Sequence, residues 1–162
     1  MSMRPYIKAF FGKNRQYAVA GASSNPTKFG FKILLWYVTH DLPVIPINPK
    51  ESEILGQPVI SDINEILTGL KNNQDVKGHK LSTKDGLSIS FLTQPKITVD
   101  LLNQIGQFEG YGDVIKGLWF QPGSYDQEVL DVAESLGLFS KVVYEDECIL
   151  RRGDEGLFNA NL

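Results

Sequence analysis

Tyr17-Ala18-Val19-Ala20-Gly21-Ala22-Ser23-Ser24-Asn25-Pro26-Thr27-Lys28-Phe29-Gly30 is the stretch that decides the fold. It opens as a short apolar run, which predicts a strand buried on both faces. Gly21 ends the run, and small and hydroxyl-bearing residues follow. From Phe31 to Val38 the spacing turns helical, with Ile33, Leu34, Trp36 and Tyr37 supplying a broad buried face. A buried strand, a small-residue turn and a helix begin an alternating α/β pattern.

The pattern continues outward from there. Val44 to Ile47 reads as a second buried strand, and Val59-Ile60 as a short extended piece. Ser61 or Asp62 can cap a helix carrying Ile63, Ile66, Leu67 and Leu70. Leu87 to Leu92 is a third principal strand, followed by a helix marked by Val99, Leu101, Leu102 and Ile105. Ile115 to Phe120 is a fourth. Ser124 with Gln127 matches a capping box for a helix bearing Val129, Val132, Ala133 and Leu136, with Gly137 at its end. Lys141 to Tyr144 is a fifth strand, and Cys148-Ile149-Leu150 reads as a short sixth. Upstream, Pro5 to Phe11 reads as a short helix packed on the domain. Strands apolar on both faces and separated by helices predict a doubly wound, mostly parallel sheet of five to six strands, Rossmann-like, with helices on both faces. One domain over residues 1–152 is expected, with a loose C-terminal tail over residues 153–162. Residues 71–86 are polar, with Val76 and Leu81 their only large apolar side chains, and are expected to form an exposed insertion that can meet a protein partner. The Asp85-Gly86 pair offers a turn for a small hairpin there.

The 162 residues suffice for a hydrophobic core without staples. Cys148 is the only cysteine, so no disulfide forms within the chain, and one thiol fits a reducing compartment. The expected setting is cytoplasmic, with the mitochondrial matrix as the alternative. Neither a secretory signal nor a transit peptide is legible at the start. No apolar run approaches the ~20 residues of a membrane span. The net charge of −3 argues against a nucleic-acid binder. The charge is uneven: six of the 16 basic residues precede the first acid, Asp41, leaving ten bases against 19 acids in the rest.

In a doubly wound sheet, ligands bind outside the carboxyl ends of the strands. After the first strand, Gly21 and Ala22 let backbone N–H groups approach a ligand, Ser23, Ser24 and Thr27 add hydroxyls, and Lys28 adds charge at a helix N-terminus suited to phosphate. The turn is not the dinucleotide fingerprint, because Ser23 and Pro26 stand where glycines are required. After the second strand comes Asn48-Pro49-Lys50, where an NAD site wants an acid for the ribose. Lys50 favours a ribose carrying a phosphate, as in NADP or coenzyme A. Thr93 and Pro95 follow the third strand. Gln121 and Gly123 follow the fourth, with Gln121 able to bond a substrate amide. His40 and His79 are the only histidines and neither falls at this edge, so a Ser-His-Asp arrangement is not expected. His40 is expected to close the first principal helix. No metal motif exists. Cys148 follows Glu145, Asp146 and Glu147 and reads as a buried structural thiol.

Five stretches together resemble a known family: Tyr17 to Ser23, Val44 to Lys50, Glu53 to Val59, Gly117 to Gly123, and Cys148-Ile149. In this order, over about residues 5–152, they are similar to the stand-alone CoA-binding-domain proteins and to the N-terminal domain of the succinyl-CoA synthetase α subunit. The resemblance implies a Rossmann-type fold that holds coenzyme A. It implies that Gly21, Ala22 and Ser23 line the phosphate loop, and that Asn48, Pro49 and Lys50 flank the adenosine ribose and its 3′-phosphate. It places Thr93 and Pro95 beside the pantetheine arm, and Gln121 and Gly123 at the crevice edge. The chain departs from the family in the insertion at 71–86 and in Pro122, where Gln-Leu-Gly is usual. The synthetase's phosphorylated histidine lies in a second domain that has no counterpart here, so ligase activity does not carry over.

The expected function is a binding module for coenzyme A, an acyl-CoA or a similar adenine nucleotide, without catalysis of its own. An NADP-dependent oxidoreductase and a non-catalytic interaction protein with a vestigial pocket are the alternatives.

Overall fold

The computed structural model describes residues 2–161. Its elements in chain order are α1 (Arg4–Phe10), β1 (Arg15–Ala20), α2 (Phe29–Thr39), β2 (Val44–Ile47), β3 (Glu53–Ile54), β4 (Gln57–Pro58), α3 (Ile63–Asn72), β5 (Gly86–Phe91), α4 (Pro95–Gln107), α5 (Tyr111–Val114), β6 (Ile115–Phe120), α6 (Gln127–Ser135), β7 (Val142–Val143) and α7 (Ile149–Ala160). Five strands form one sheet in the order β2-β1-β5-β6-β7, and every neighbouring pair is parallel. β3 and β4 make a separate antiparallel hairpin. The doubly wound α/β prediction therefore holds, with five strands in the sheet.

Side chains alternate across the sheet, as the period of two requires. Ala18, Ala20, Ile45, Ile89, Phe91, Leu118 and Phe120 pack with the apolar faces of α3, α4 and α6. Tyr17, Val19, Val44, Trp119 and Val143 pack with α1, α2 and α7. The second layer is aromatic. Phe10 meets Trp119 edge to face at 5.3 Å between ring centroids, and Tyr17 lies 5.4 Å from Tyr37. Pairs of this kind contribute about 0.5–1.5 kcal/mol beyond burial.

Ser88 and Ser90 point into that aromatic layer, and each has a partner. Ser88 Oγ donates to the Phe10 carbonyl at 2.7 Å, and Ser90 Oγ lies 2.8 Å from the Tyr37 hydroxyl. The Arg15 guanidinium is also buried. It donates to the Phe10 carbonyl, to Ser88 Oγ and, through two nitrogens, to Asp85. It thereby anchors the entry to β5 against the end of α1.

Several sequence expectations need correction. Cys148-Ile149-Leu150 is not a sixth strand: Cys148 is the N-cap of α7, and Ile149 and Leu150 are its first residues. Residues 153–160, expected as a loose tail, continue this helix. Gly153 and Gly156 are buried, and a Cβ on either would run into Trp36 or Ile7 respectively. Glycine thus brings α7 close onto α2 and α1. The Ser124–Gln127 capping box does not form: Asp126 is the N-cap of α6, its carboxylate accepting from Val129 N–H at 3.0 Å.

Segment 71–86 does not stand free along its length. Its first residues finish α3, which Asn73 ends in the left-handed conformation. Val76 and His79 then close a tight turn in place of the hairpin expected at Asp85-Gly86. His79 is buried and donates from Nε2 to the Pro58 carbonyl, and Leu81 is fully buried. His40 does close α2, stacking on Trp36 and reaching Asp154 at 2.8 Å.

Candidate functional site

β1 and β5 are sheet neighbours whose following helices, α2 and α4, lie on opposite faces. A crevice opens between their carboxyl ends at such a switch point. Here it is a cavity of about 500 Å³.

The floor is the turn after β1. Gly21 has φ +87° and a Cβ there would lie 3.0–3.2 Å from Leu92 and Thr93, so both conformation and space require glycine. Gly30, in the first turn of α2, rests on the Gly21 carbonyl, closer than any Cβ tolerates. The helix therefore starts directly behind the turn. Among the described residues, no acceptor meets the N–H groups of Ala22, Ser23, Phe29 and Gly30. Ala22, Ser23, Phe29 and Gly30 all border the cavity. Four open donors plus the positive end of an 11-residue helix form an anion cradle.

Asn25 shapes the rest of the loop. Its side-chain oxygen accepts from Thr27 N–H and from the Thr27 hydroxyl at 2.7 Å. Ser23 Oγ accepts from Asn25 N–H at 3.1 Å, which leaves its own proton free to donate into the cavity. The next N–H, of Ser24, is taken by the Glu51 carboxylate at 3.2 Å.

A family model described as CoA binding domain matches residues 15–154. The chain belongs to the CoA binding domain family. Among solved structures it is similar to a conserved hypothetical protein of Pyrococcus furiosus (27% identity, 85% of this chain and 98% of that one, TM-score 0.63). It shares the fold of a hypothetical protein from Pyrococcus horikoshii (21% identity, 97% and 93% of the two chains, TM-score 0.70) and of a protein from Thermus thermophilus (18%, 95% and 96%, TM-score 0.65). None of the curated proteins matches it.

Within this CoA-binding domain, Gly21, Ala22, Ser23, Lys28, Asn48 and Gly123 come together on the cavity wall. Asn48 does so as a brace. Its Nδ2 donates to the Ala22 carbonyl at 2.9 Å, and its Oδ1 accepts from the N–H groups of Lys50 and Glu51. Pro49 and Lys50 sit in the turn this creates, exposed and beside the wall. Thr93 and Pro95 are not on the wall, which Leu92 and Gln94 line instead. Thr98 donates to the Ser124 carbonyl at 2.8 Å, so the Thr93 hydroxyl donates to Thr98 Oγ1, also at 2.8 Å, and joins the β5 and β6 turns.

Gln121 differs most from expectation. It is fully buried. Its Nε2 donates to Ser90 Oγ at 3.4 Å and its Oε1 accepts from Ile149 N–H at 3.0 Å. The amide bonds no open crevice group and instead caps the first N–H of α7. Burial holds the phenol of Tyr37, the other partner of Ser90, well above its ordinary pKa, so the network stays neutral.

Phe29, Leu92, Gln94 and Pro122 also line the cavity, and of these the sequence marks only Pro122, as a departure from the family. Phe29 and Leu92 read as core because they are apolar residues beside a strand end, and only their shared position at the crevice reveals them. Among the described residues no cluster of three or more metal-capable side chains occurs, and no helix is long and apolar enough to cross a membrane.

Proposed function

We propose that the chain is a binding module for coenzyme A or an acyl-CoA and carries no catalysis of its own. The observation that carries this reading is the cradle of open N–H groups at Ala22, Ser23, Phe29 and Gly30, held at the switch point by the contact of Gly30 on Gly21. The pyrophosphate sits there, with Lys28 as counter-charge. The adenosine lies toward β2, where Asn48 and Pro49 flank the ribose and Lys50 faces its 3′-phosphate. The pantetheine arm crosses the ends of β5 and β6, past Leu92, Gln94, Pro122 and Gly123.

Calorimetric titration with CoA, dephospho-CoA and NADPH tests this. CoA is expected to bind and dephospho-CoA to bind more weakly, with Lys50→Glu narrowing the gap between them. Binding of NADPH in preference to CoA would favour redox chemistry and contradict the proposal. An equal loss for both CoA species in Lys50→Glu would remove Lys50 from the 3′-phosphate.

A further inference from the structure

A second cavity, of about 300 Å³, adjoins the first and shares Phe29, Leu92 and Pro122 with it. Its remaining walls are Ile33, Gln121, Cys148, Leu150 and Arg151. Ile33 is buried, and the Gln121 amide is turned to Ser90 and α7, so apart from the exposed Arg151 the lining offers a ligand little but hydrocarbon and a thiol. Phe29 and Leu150 flank the opening and stand 58% and 39% exposed, although both are large and apolar. Isolated exposed apolar residues are ordinary, but two at the mouth of one apolar cavity, continuous with a ligand crevice, mark a surface that something covers.

The sheet order says what reaches it. From β2 to β7 the crevice edge passes from Asn48, to the anion cradle after β1, to Leu92 after β5, to Pro122 after β6, and then to Cys148 at the start of α7. Strands lie about 4.8 Å apart, so the path from cradle to second cavity spans only two or three strands. An extended pantetheine leaving the cradle along this edge brings its sulfur end to the apolar cavity.

We propose that this second cavity holds the acyl group of a short-chain acyl-CoA thioester, so that the module distinguishes acyl-CoA from free CoA. The proposal rests on the CoA reading above. At ~30 Å³ per water-sized group, 300 Å³ takes roughly ten such groups. That accommodates the sulfur end of the ligand and an acyl chain of up to about six carbons.

The test is a titration series with CoA, acetyl-CoA, butyryl-CoA, hexanoyl-CoA and dodecanoyl-CoA on the full chain and on Leu150→Asp. Leu150 is half-exposed in the first turn of α7, where an acid suits the helix dipole, so the variant keeps the fold. Affinity is expected to rise about fourfold per methylene from acetyl to hexanoyl and then level off. Leu150→Asp is expected to keep its CoA affinity within about twofold and lose the rise. Independently, hexanoyl-CoA should protect Cys148 from iodoacetamide more than CoA does at equal saturation, read by mass spectrometry of the wild-type chain. Equal affinity across the series would overturn the acyl proposal and leave CoA binding intact. So would a rise that persists in Leu150→Asp, or equal protection of Cys148. Absence of binding by every CoA species would overturn both.

Discussion

Gly30→Ala should impair stability and ligand binding together. The added methyl group would press on the Gly21 carbonyl oxygen well inside 3.0 Å, with Gly21 C at 3.2 Å and Ser23 N at 3.3 Å. All three are backbone atoms of the cradle and cannot swing aside as a side chain would. Replacing glycine in a helix normally gains up to about 1 kcal/mol. Overpacking of this kind costs about 1–3 kcal/mol, and here it wins because helix and turn must separate. The net loss is roughly 1–2 kcal/mol, or about 2–8 °C in Tm for a chain of this size. Separation also moves the N–H groups of Ala22 and Ser23 away from those of Phe29 and Gly30. Losing one good hydrogen bond to a charged phosphate weakens CoA binding by about tenfold or more. Differential scanning calorimetry and calorimetric titration measure the two effects. Gly112→Ala is the control, since nothing lies within 4 Å of its Cβ. A Gly30→Ala protein with wild-type Tm and CoA affinity within twofold of wild type would refute the packing argument.

Three further outcomes are expected. Lys28→Glu should weaken CoA binding roughly ten- to thirtyfold, by losing one exposed ionic contact and adding an equal repulsion, and the effect should shrink at high salt; a salt-independent loss would point to misfolding instead. Gln121→Leu strands the Ile149 N–H, so it should cost about 1–3 kcal/mol in urea unfolding and speed hydrogen exchange in α7. Unchanged exchange there would show that Gln121 does not hold the helix. Hydrogen bonds from Arg15 hold the Asp85 carboxyl below its ordinary pKa. The pair therefore stabilises the fold above pH ~4 and stops doing so as pH falls through the folded-state value. With Asp85 44% exposed, Asp85→Asn should cost about 1 kcal/mol at pH 7 and progressively less as the pH falls through the folded-state value; a cost that stays constant down the acid range would disprove the linkage.

The parts of the fold that were legible are those where local pattern and tertiary packing agree. Tyr17 to Ala20 and Val44 to Ile47 are apolar on both faces because both faces of the sheet are covered, and Leu87 to Phe91 turns Leu87, Ile89 and Phe91 to one layer and the two buried serines to the other. α7 was not legible. Gly153 and Gly156 lower its helix propensity, and Arg151, Arg152, Asp154 and Glu155 interrupt its apolar pattern. It exists because those glycines admit Trp36 and Ile7, contacts more than a hundred residues away in sequence. A three-residue apolar run such as Cys148-Ile149-Leu150 carries no period that separates strand from helix. The cradle residues were legible from their place after the first strand. Phe29 and Leu92 were not, since an apolar side chain at a strand end looks the same whether it faces core or ligand. Gln121 misled for the opposite reason: its amide looked available, and burial spent it on Ser90 and Ile149.

The central claim, that this edge of the sheet holds a CoA species, is tested most directly by thermal unfolding of the purified chain with saturating CoA, NADPH, NAD or buffer alone. A ligand at a hundred times its Kd adds about 2.7 kcal/mol, which raises Tm by roughly 5–10 °C for a domain of this size. The account predicts that rise with CoA, a smaller one in Gly30→Ala at the same concentration, and none with NAD. A Tm unmoved by CoA at millimolar concentration, or raised by NADPH alone, would contradict it.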